Sequence, residues 1–311
     1  MGLFGKAKHP GWLAIGQRDG AIDVAHVSRP TAGRPVLHHC DAREIEGEFR
    51  DALVRLRLVF SLHRHRCATL LRHGEYRLVQ VEAPDVSEPE LREAVRWRVK
   101  DLLDFPVETA TVDALPLPAQ GEARSRHAFV AAAPDAIVKA RMDAFEAAGA
   151  PVEVIDIPEL AQRNVAGLFE QPNRGLGVLA FDDSGGLVTF TADGELYAFR
   201  RIDIGGAELA NANAERRTQL VERIALELQR SLDGMERSYS AVAVSRILVA
   251  EPEGTPLASS LAANLYVPVE PLDLASVLDL DALPDLGKPG RIARLLPVIG
   301  AALRHEEAPR A

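Results

Sequence analysis

The most regular pattern in the chain is Leu226-Glu227-Leu228-Gln229-Arg230-Ser231-Leu232-Asp233, which precedes the apolar run Arg246-Ile247-Leu248-Val249-Ala250. A branched apolar side chain recurs at every fourth position around it, at Leu220, Ile224, Leu228 and Leu232. This spacing puts the four side chains on one face, so it predicts an amphipathic helix about 30 Å long, at 1.5 Å rise per residue. Such periodicity reports burial rather than chemistry, and it indicates a structural element.

The first half of the chain combines strand and helix patterns. Turn signals at Asp19-Gly20 and Ala32-Gly33 separate short apolar runs and predict a β-meander at 12–15, 22–27 and 35–39. Apolar residues at helical spacing predict a helix over 42–60, and a second helix, which carries Trp97, has an apolar stripe that runs from Leu91 to Leu103. The other predicted elements are strands at 67–72, 76–83, 107–115 and 127–133, and a helix at 134–148 capped by Gly149.

The second half repeats this order. Its predicted elements are a strand at 152–155, a helix at 158–169 and hairpin strands at 176–181, 187–191 and 195–202. Each half thus contains a three-stranded meander followed by a helix and a further strand. Residue patterns alone support an α/β or α+β protein with two domains.

Several segments resemble a known family when taken together. They are residues 76–84, the helical stretch 90–103, Asp113 on the following strand, and Phe199-Arg200-Arg201-Ile202-Asp203-Ile204-Gly205-Gly206 ahead of the long helix. Their order and spacing resemble the PilM/MshI family, cytoplasmic assembly proteins of type IV pili that include those of mannose-sensitive haemagglutinin pili. The resemblance covers most of residues 12–250.

This resemblance implies an α/β architecture with the actin-like ATPase fold, in which two duplicated RNase H-like domains face a cleft. The implied first domain comprises residues 1–158, joined by a C-terminal helix at 289–304. The implied second domain comprises residues 159–288.

Composition argues against several classes of protein. The 36 basic and 45 acidic residues give this chain of 311 residues a net charge of −9, which disfavours a nucleic-acid-binding protein. Cys40 and Cys67 do not form a disulfide framework of the kind that small secreted domains need. The N-terminus lacks the apolar run of a signal peptide, and no apolar segment approaches 18 residues. We therefore expect a cytoplasmic protein without a membrane span.

An actin-like nucleotide site needs glycine-bearing turns, whose backbone N–H groups reach the phosphates, and an aspartate near the metal. The first turn has Gly16 where the family pattern has aspartate, and Arg18 where it has glycine. In the second turn Asp183 and Gly185, followed by Gly186, could keep the pattern.

At the adenosine position, Glu251-Pro252-Glu253-Gly254 replaces a glycine pair, and its carboxylates would repel phosphates. We therefore expect no cofactor, and we interpret the ATPase motifs as degenerate. Binding of ATP with Mg²⁺ is the open alternative, with Arg18, Asp183, Gly185 and Gly186 as the cleft residues.

A metal site is a further candidate, because two clusters combine histidine with cysteine. The clusters are His38, His39 and Cys40, and His63, His65 and Cys67. Structural zinc sites usually place two residues between paired ligands, and neither cluster has this spacing. We expect no metal.

Trp97 lies off the apolar stripe of its helix, between Arg96 and Arg98. A tryptophan among arginines is typical of an interface anchor, although it can also cover the edge of a core. We take these three residues as the candidate partner-binding site.

The resemblance implies a non-enzymatic scaffold of a pilus assembly platform, peripheral to the inner membrane. Such a protein docks the cytoplasmic N-terminus of a single-span inner-membrane partner, similar to PilN or MshJ, and it could be a homodimer. The alternative is an ATP-binding actin-fold ATPase in pilus or type II secretion assembly. The cytoplasmic half of a type II secretion protein is disfavoured, because such proteins continue into a membrane span.

Overall fold

The computed structural model describes residues 9–118, 126–182, 184–283, 286 and 290–305. In chain order the strands are β1 (Trp12–Arg18), β2 (Ala21–Ser28), β3 (Val36–Glu44), β4 (Arg66–Leu70), β5 (Arg77–Ala83), β6 (Ala110–Pro116), β7 (Arg126–Pro134), β8 (Val152–Asp156), β9 (Gly175–Asp182), β10 (Gly185–Ala192), β11 (Glu195–Ile202), β12 (Val244–Val249) and β13 (Val269–Pro271). The helices are α1 (Phe49–Leu56), α2 (Glu88–Arg96), α3 (Asp135–Ala147), α4 (Pro158–Ala166), α5 (Gly206–Asn211), α6 (Ala214–Ser238), α7 (Leu257–Ala262) and α8 (Arg291–Ala302).

The first sheet has the strand order β3-β2-β1-β4-β8. β1 to β3 form the predicted antiparallel meander, and β4 and β8 run parallel to β1. Its side chains alternate between two buried faces, because Leu13 and Ile15 pack with α1 and α3 while Trp12 and Ala14 pack with α8. Burial of both faces explains why residues 12–15 are apolar without interruption.

The second sheet repeats this topology with the order β11-β10-β9-β12-β13. β9 to β11 form an antiparallel meander, and β12 and β13 run parallel to β9. The predicted long helix is α6, whose Leu220, Ile224 and Leu228 are fully buried against this sheet. The Asn213 side chain caps α6 by accepting a hydrogen bond from the Arg216 N–H (2.9 Å).

A third, antiparallel sheet with the order β5-β7-β6 lies between β4 and α3 in the chain. α2 covers one of its faces. The other face contacts the second half of the molecule, where the Phe129 and Phe199 ring centroids are 5.8 Å apart and Gln80 Nε2 donates to the Tyr239 hydroxyl (3.1 Å). The third sheet therefore bridges the two halves.

α4 and α8 cross between the two large sheets. α8 packs on β1, β2 and β4, and α4 packs on β9, β10 and β11. Gly300 of α8 lies so close to α4 that a Cβ at this position would fall 2.1 Å from the Ala161 carbonyl oxygen. Asn164 Nδ2 also donates to the Gly300 carbonyl oxygen (3.0 Å). The boundaries at 1–158 and 159–288 stay predictions.

Two helices are much shorter than predicted, and α4 ends at Ala166 rather than at residue 169. Residues 42–44 extend β3 and pair with β2, and Gly47 has a positive φ of +82°, so α1 begins only at Phe49. α2 ends at Arg96 rather than near Leu103, because hydrogen bonds of 3₁₀ type, such as Arg98 N–H to the Val95 carbonyl oxygen (2.9 Å), tighten the chain after it.

Candidate functional site

The β1–β2 turn and the β9–β10 turn face each other across a cleft of about 400 Å³ between the two halves. Gly16, Arg18 and Asp19 line it from the first turn, and Asp182 and Ser184 line it from the second. α8 contributes further lining residues, and a Cβ at Gly16 would lie 2.8 Å from Cγ1 of its Val298. An aspartate at position 16, as in the family pattern, would therefore require at least the Val298 side chain to shift.

Arg18 reaches this cleft but is already bound within the protein. Its guanidinium donates to both carboxylate oxygens of Asp23, from Nε (2.5 Å) and from Nη2 (2.9 Å). Asp23 is 3% exposed. Moving Arg18 to a ligand would leave this buried carboxylate without its bidentate partner, which is costly.

The β9–β10 turn is organised by Asp182. Its Oδ1 accepts hydrogen bonds from the Ser184 N–H (2.7 Å), the Ser184 hydroxyl (2.5 Å) and the Gly185 N–H (3.0 Å). Asp183, the predicted cleft aspartate, lies outside the described residues. The pattern Asp182-x-Ser184-Gly185 is typical of a turn closed by an aspartate side chain, and this signal could have identified Asp182 from the sequence.

Gly185 and Gly186, predicted as turn residues of the cleft, are the first two residues of β10. Gly185 has φ +144°, and a Cβ there would fall 2.6 Å from the Ile202 carbonyl oxygen. A Cβ at Gly186 would lie 2.9 Å from the Phe181 ring. The neighbouring strand and the Phe181 ring leave no room for a Cβ, which explains why both positions are glycine.

A buried polar network closes the cleft beside the second turn. Glu159 at the start of α4 is 2% exposed, and its carboxylate accepts hydrogen bonds from the Tyr76 hydroxyl and from Arg201 Nη2 (2.9 Å) and Nε (3.1 Å). Burial, followed by the charge of Glu159, raises the pKa of Tyr76 well above its ordinary value, which keeps the phenol a hydrogen-bond donor. Arg201 also approaches Asp182, with 3.8 Å between Nη1 and Oδ2. Sequence reasoning missed this network.

The first turn is tied to α3 through Glu75. Arg141 of α3 is 5% exposed, and its Nη2 donates to both Glu75 oxygens (2.9 and 2.8 Å). Arg72 donates from its guanidinium to Glu75 (3.1 Å) and to Asp19 (2.6 Å). Burial alone would raise the pKa of Glu75, but the hydrogen bonds from Arg72 and Arg141 lower it. Arg72 and Arg141 are therefore hydrogen-bonded to carboxylates of the protein itself.

The loop after β12, which the family resemblance aligns with the adenosine position, lines a second region of the cleft together with the start of α8. This second region of about 560 Å³ is also lined by Gly206, the first residue of α5. Glu251 accepts a hydrogen bond from the Ala258 N–H (2.8 Å). A Cβ at Gly290 would fall within 2.6 Å of the Glu253 backbone. The loop after β12 is therefore packed tightly against Gly290, the residue that precedes α8.

The two histidine-cysteine clusters are arranged for packing. The His65 ring stacks on His9 and meets His26 edge-on, with centroids 4.7 and 4.5 Å apart. Cys67 is buried in a different cluster, and its thiol points to the Leu62 carbonyl oxygen (3.7 Å). Among the residues that the structure describes, no group of three His, Cys, Asp or Glu side chains could hold a metal ion.

Trp97 follows the last residue of α2 and is 58% exposed. Arg96 donates to the Val107 and Ala110 carbonyl oxygens (2.8 and 3.0 Å), and Arg98 donates to the Glu82 carbonyl oxygen (2.9 Å). Lys100 Nζ lies 5.9 Å from the Trp97 ring centroid. The arginines thus hold the backbone around an indole that faces solvent.

No helix in the described part of the chain combines the length and the apolar character needed to cross a bilayer.

No protein-family model and no curated protein matches the sequence. Among solved structures, the chain is similar to the PilM-PilN type IV pilus biogenesis complex, with a TM-score of 0.72 and 21% identity over 94% of this chain and 98% of that chain. It is less similar to the cytoplasmic domain of EpsL, an inner membrane component of the type II secretion system of Vibrio cholerae, with a TM-score of 0.47 and 13% identity over 81% of this chain and 93% of that chain. The first likeness, with the repeated strand order of the two large sheets, establishes that the chain has the α/β actin-like fold of two RNase H-like halves facing a cleft.

Proposed function

We propose that this protein is a non-enzymatic cytoplasmic scaffold of a type IV pilus assembly platform, of the PilM/MshI type. It docks the cytoplasmic N-terminus of a single-span, PilN-like partner and is held at the inner membrane through that partner. The observation that carries this proposal is the likeness to PilM in its complex with PilN over nearly the whole of both chains. Assignment to the mannose-sensitive haemagglutinin system rests on the sequence resemblance.

The α2 side of the third sheet is the docking surface that we favour. Trp97 and Leu102 are 58% and 52% exposed there, and Arg96 and Arg98 fix the backbone between them and the sheet. β5 and β6 are the edge strands of this sheet, so a partner tail could also add a strand. An exposed aromatic on a rigid base is the kind of residue that becomes a binding hot spot.

Calorimetric titration with N-terminal peptides of PilN-like partners tests this surface. Trp97→Ala should weaken binding by roughly 2 kcal/mol or more, since the indole would be buried in the complex. Tyr266→Ala is the matched control, because Tyr266 is 65% exposed but belongs to the second half. Equal affinities of wild type and Trp97→Ala, with folding unchanged, would remove Trp97 from the interface.

The proposal includes weak or absent nucleotide binding. Arg18 is hydrogen-bonded to the buried Asp23, and Val298 packs against Gly16. One carboxylate oxygen of Asp182 accepts hydrogen bonds from its own turn. We therefore expect ATP to bind with a Kd no tighter than about 1 mM, near 4 kcal/mol. The competing function, an ATP-binding actin-fold ATPase, is favoured only by the open cleft and by the glycines of its second turn.

Equilibrium binding of a fluorescent ATP analogue, with and without Mg²⁺, separates the two functions. Micromolar, magnesium-dependent affinity that disappears in Asp182→Ala or Asp183→Ala would favour the ATPase. Lys139→Ala is the control, because Lys139 pairs with Asp143 on the outside of α3.

A further inference from the structure

The end of α1 presents apolar side chains to solvent. The helical hydrogen bonds continue past its last residue, with Arg57 N–H bonded to the Leu53 carbonyl oxygen (2.9 Å), while Leu53 itself is fully buried. At 100° per residue Leu58 therefore points away from the core. Leu58 is 74% exposed and Val59 is 58% exposed. Two adjacent apolar residues thus face solvent at the end of α1.

The same segment is basic in an otherwise acidic chain. From Ala52 to Gly74 the sequence contains five arginines and three histidines but neither aspartate nor glutamate, although the whole chain carries a net charge of −9. Arg55, Arg57 and His63 are exposed, and among the described residues the Arg55 guanidinium donates to the Glu46 carbonyl oxygen (2.7 Å) rather than to a carboxylate. Within the described residues, neither Arg57 nor His63 has a carboxylate partner. The acidic residues nearest in sequence are Glu46, Glu48 and Asp51, before or in the first turn of α1, and Glu75, which directly follows the segment.

The chain enters the described structure beside this surface. The His9 N–H donates to the Arg64 carbonyl oxygen (2.6 Å).

We propose that this surface binds an anionic phospholipid bilayer. We call it the α1 patch and define it by Arg55, Arg57, Leu58, Val59, His63 and Arg64. The apolar pair enters the headgroup region while the guanidinium groups contact lipid phosphates, which is the combination that holds proteins at a membrane surface. A nucleic acid would use the charge but not the leucine and valine. The inference goes beyond the proposed function, since docking of a partner tail needs no contact with lipid.

Flotation of the full-length chain with vesicles tests the proposal. The chain should bind vesicles that contain phosphatidylglycerol, release them as salt is raised, and ignore vesicles of phosphatidylcholine alone. Arg57→Glu changes the charge by two units and should weaken binding roughly 25-fold, at about fivefold per charge. Leu58→Ser should weaken it roughly tenfold through the lost apolar contact. Both sites are exposed, so neither change should disturb folding.

Arg223→Glu and Leu226→Ser are the matched controls, because both residues are exposed on α6 and lie far from the α1 patch in the sequence. They should leave vesicle binding unchanged. Absence of binding to phosphatidylglycerol vesicles at low salt would overturn the proposal, as would equal binding by wild type and both α1 variants. Binding of polyglutamate but not of vesicles, lost in Arg57→Glu, would assign the patch to an acidic protein instead.

Discussion

At the scale of single residues, the cleft is dominated by arginines that neutralise buried carboxylates. Asp23 and Glu159 are 3% and 2% exposed, and each has a guanidinium within hydrogen-bonding distance, from Arg18 and Arg201 respectively. A buried pair of this kind contributes little net stability when complete, but the loss of one partner strands a charge in the interior. Replacing Arg18 or Arg201 should therefore lower the free energy of unfolding.

Arg201→Met tests this at Glu159. The methionine keeps the apolar stem but leaves the Glu159 carboxylate with Tyr76 as its remaining partner, so the free energy of unfolding should fall by about 3–5 kcal/mol. Arg216→Met is the control, because the Arg216–Glu208 pair has side chains 47% and 42% exposed and should matter by less than about 1 kcal/mol. Urea unfolding measures both. A similar decrease in the free energy of unfolding in both variants would show that the buried Glu159 carboxylate does not need Arg201 for stability.

Stability should also fall as the pH is lowered from 7 to 5, because of His65. Burial, followed by the neighbouring His26 and His9, lowers the pKa of His65 from 6.5 to about 4. Between these values the unfolded chain takes up a proton and the folded protein does not, so protonation favours unfolding. The full shift corresponds to about 2 kcal/mol, and solvent around the half-buried ring should reduce the loss to about 1–2 kcal/mol.

The variant His65→Gln should remove most of this pH dependence, and His63→Gln, at an exposed histidine, should keep it. Urea unfolding of the three proteins at pH 7 and pH 5 measures the difference. An unchanged pH dependence in His65→Gln would assign the effect to other groups.

At the scale of elements, the crossing of α4 and α8 depends on a missing side chain. The closest approach is at Gly300, where the helix backbones meet with no room for a Cβ. Because α8 packs on the first sheet and α4 on the second, this contact sets how closely the two halves approach at the base of the cleft. Small residues at helix crossings allow such separations.

Two glycines in helix interiors should respond in opposite ways to alanine. Gly300→Ala should destabilise the fold by roughly 3 kcal/mol, since its Cβ would overlap the Ala161 carbonyl group. Gly234→Ala should stabilise it by roughly 0.5–1 kcal/mol, because a Cβ on this part of α6 meets no atom within 4 Å and alanine is the better helix former. Thermal unfolding measures both, and a stabilising Gly300→Ala would refute the close crossing.

The periodicity of apolar residues predicted these elements well, but it does not indicate which strands pair or which charged side chains meet. Burial of one or two faces of an element requires apolar residues at regular positions. The repeat in α6 and the apolar runs of both meanders are such patterns, so they can be recognised in the sequence. The helix predicted at 42–60 was wrong at its start, because residues 42–44 pair with β2 and strand pairing is not local. The Glu159–Arg201 and Glu75–Arg141 pairs were invisible for the same reason, since 42 and 66 residues separate their members.

At the scale of the whole molecule, the third sheet binds the two halves together. It follows β4 of the first sheet in the chain, yet Phe129 packs on Phe199 and Gln80 bonds to Tyr239 on the second half. The Tyr76–Arg201 contact (3.2 Å) lies at the beginning of β5. An opening of the cleft would have to break these contacts together, which suits a scaffold with one fixed shape.

Phe199→Ala should loosen this bridge. We expect faster hydrogen exchange in β5 and β7 and a loss of roughly 2 kcal/mol, because Phe199 is only partly buried. Leu226→Ala, at an exposed leucine of α6, should leave exchange in both strands unchanged. Exchange in β5 and β7 that is equally slow in Phe199→Ala would mean that the third sheet is held by the first half alone.

The position of α8 also determines when the first sheet can complete its folding during synthesis on the ribosome. Trp12 of β1 shares one buried cluster with Leu296 and Ile299, although nearly the whole chain separates them. One face of the first sheet therefore stays uncovered during translation until α8 emerges, and exposed apolar strands of this kind recruit chaperones or aggregate. We expect a chain stopped before Arg291 to be recovered in the insoluble fraction, so that a late stop codon removes the protein rather than shortening it.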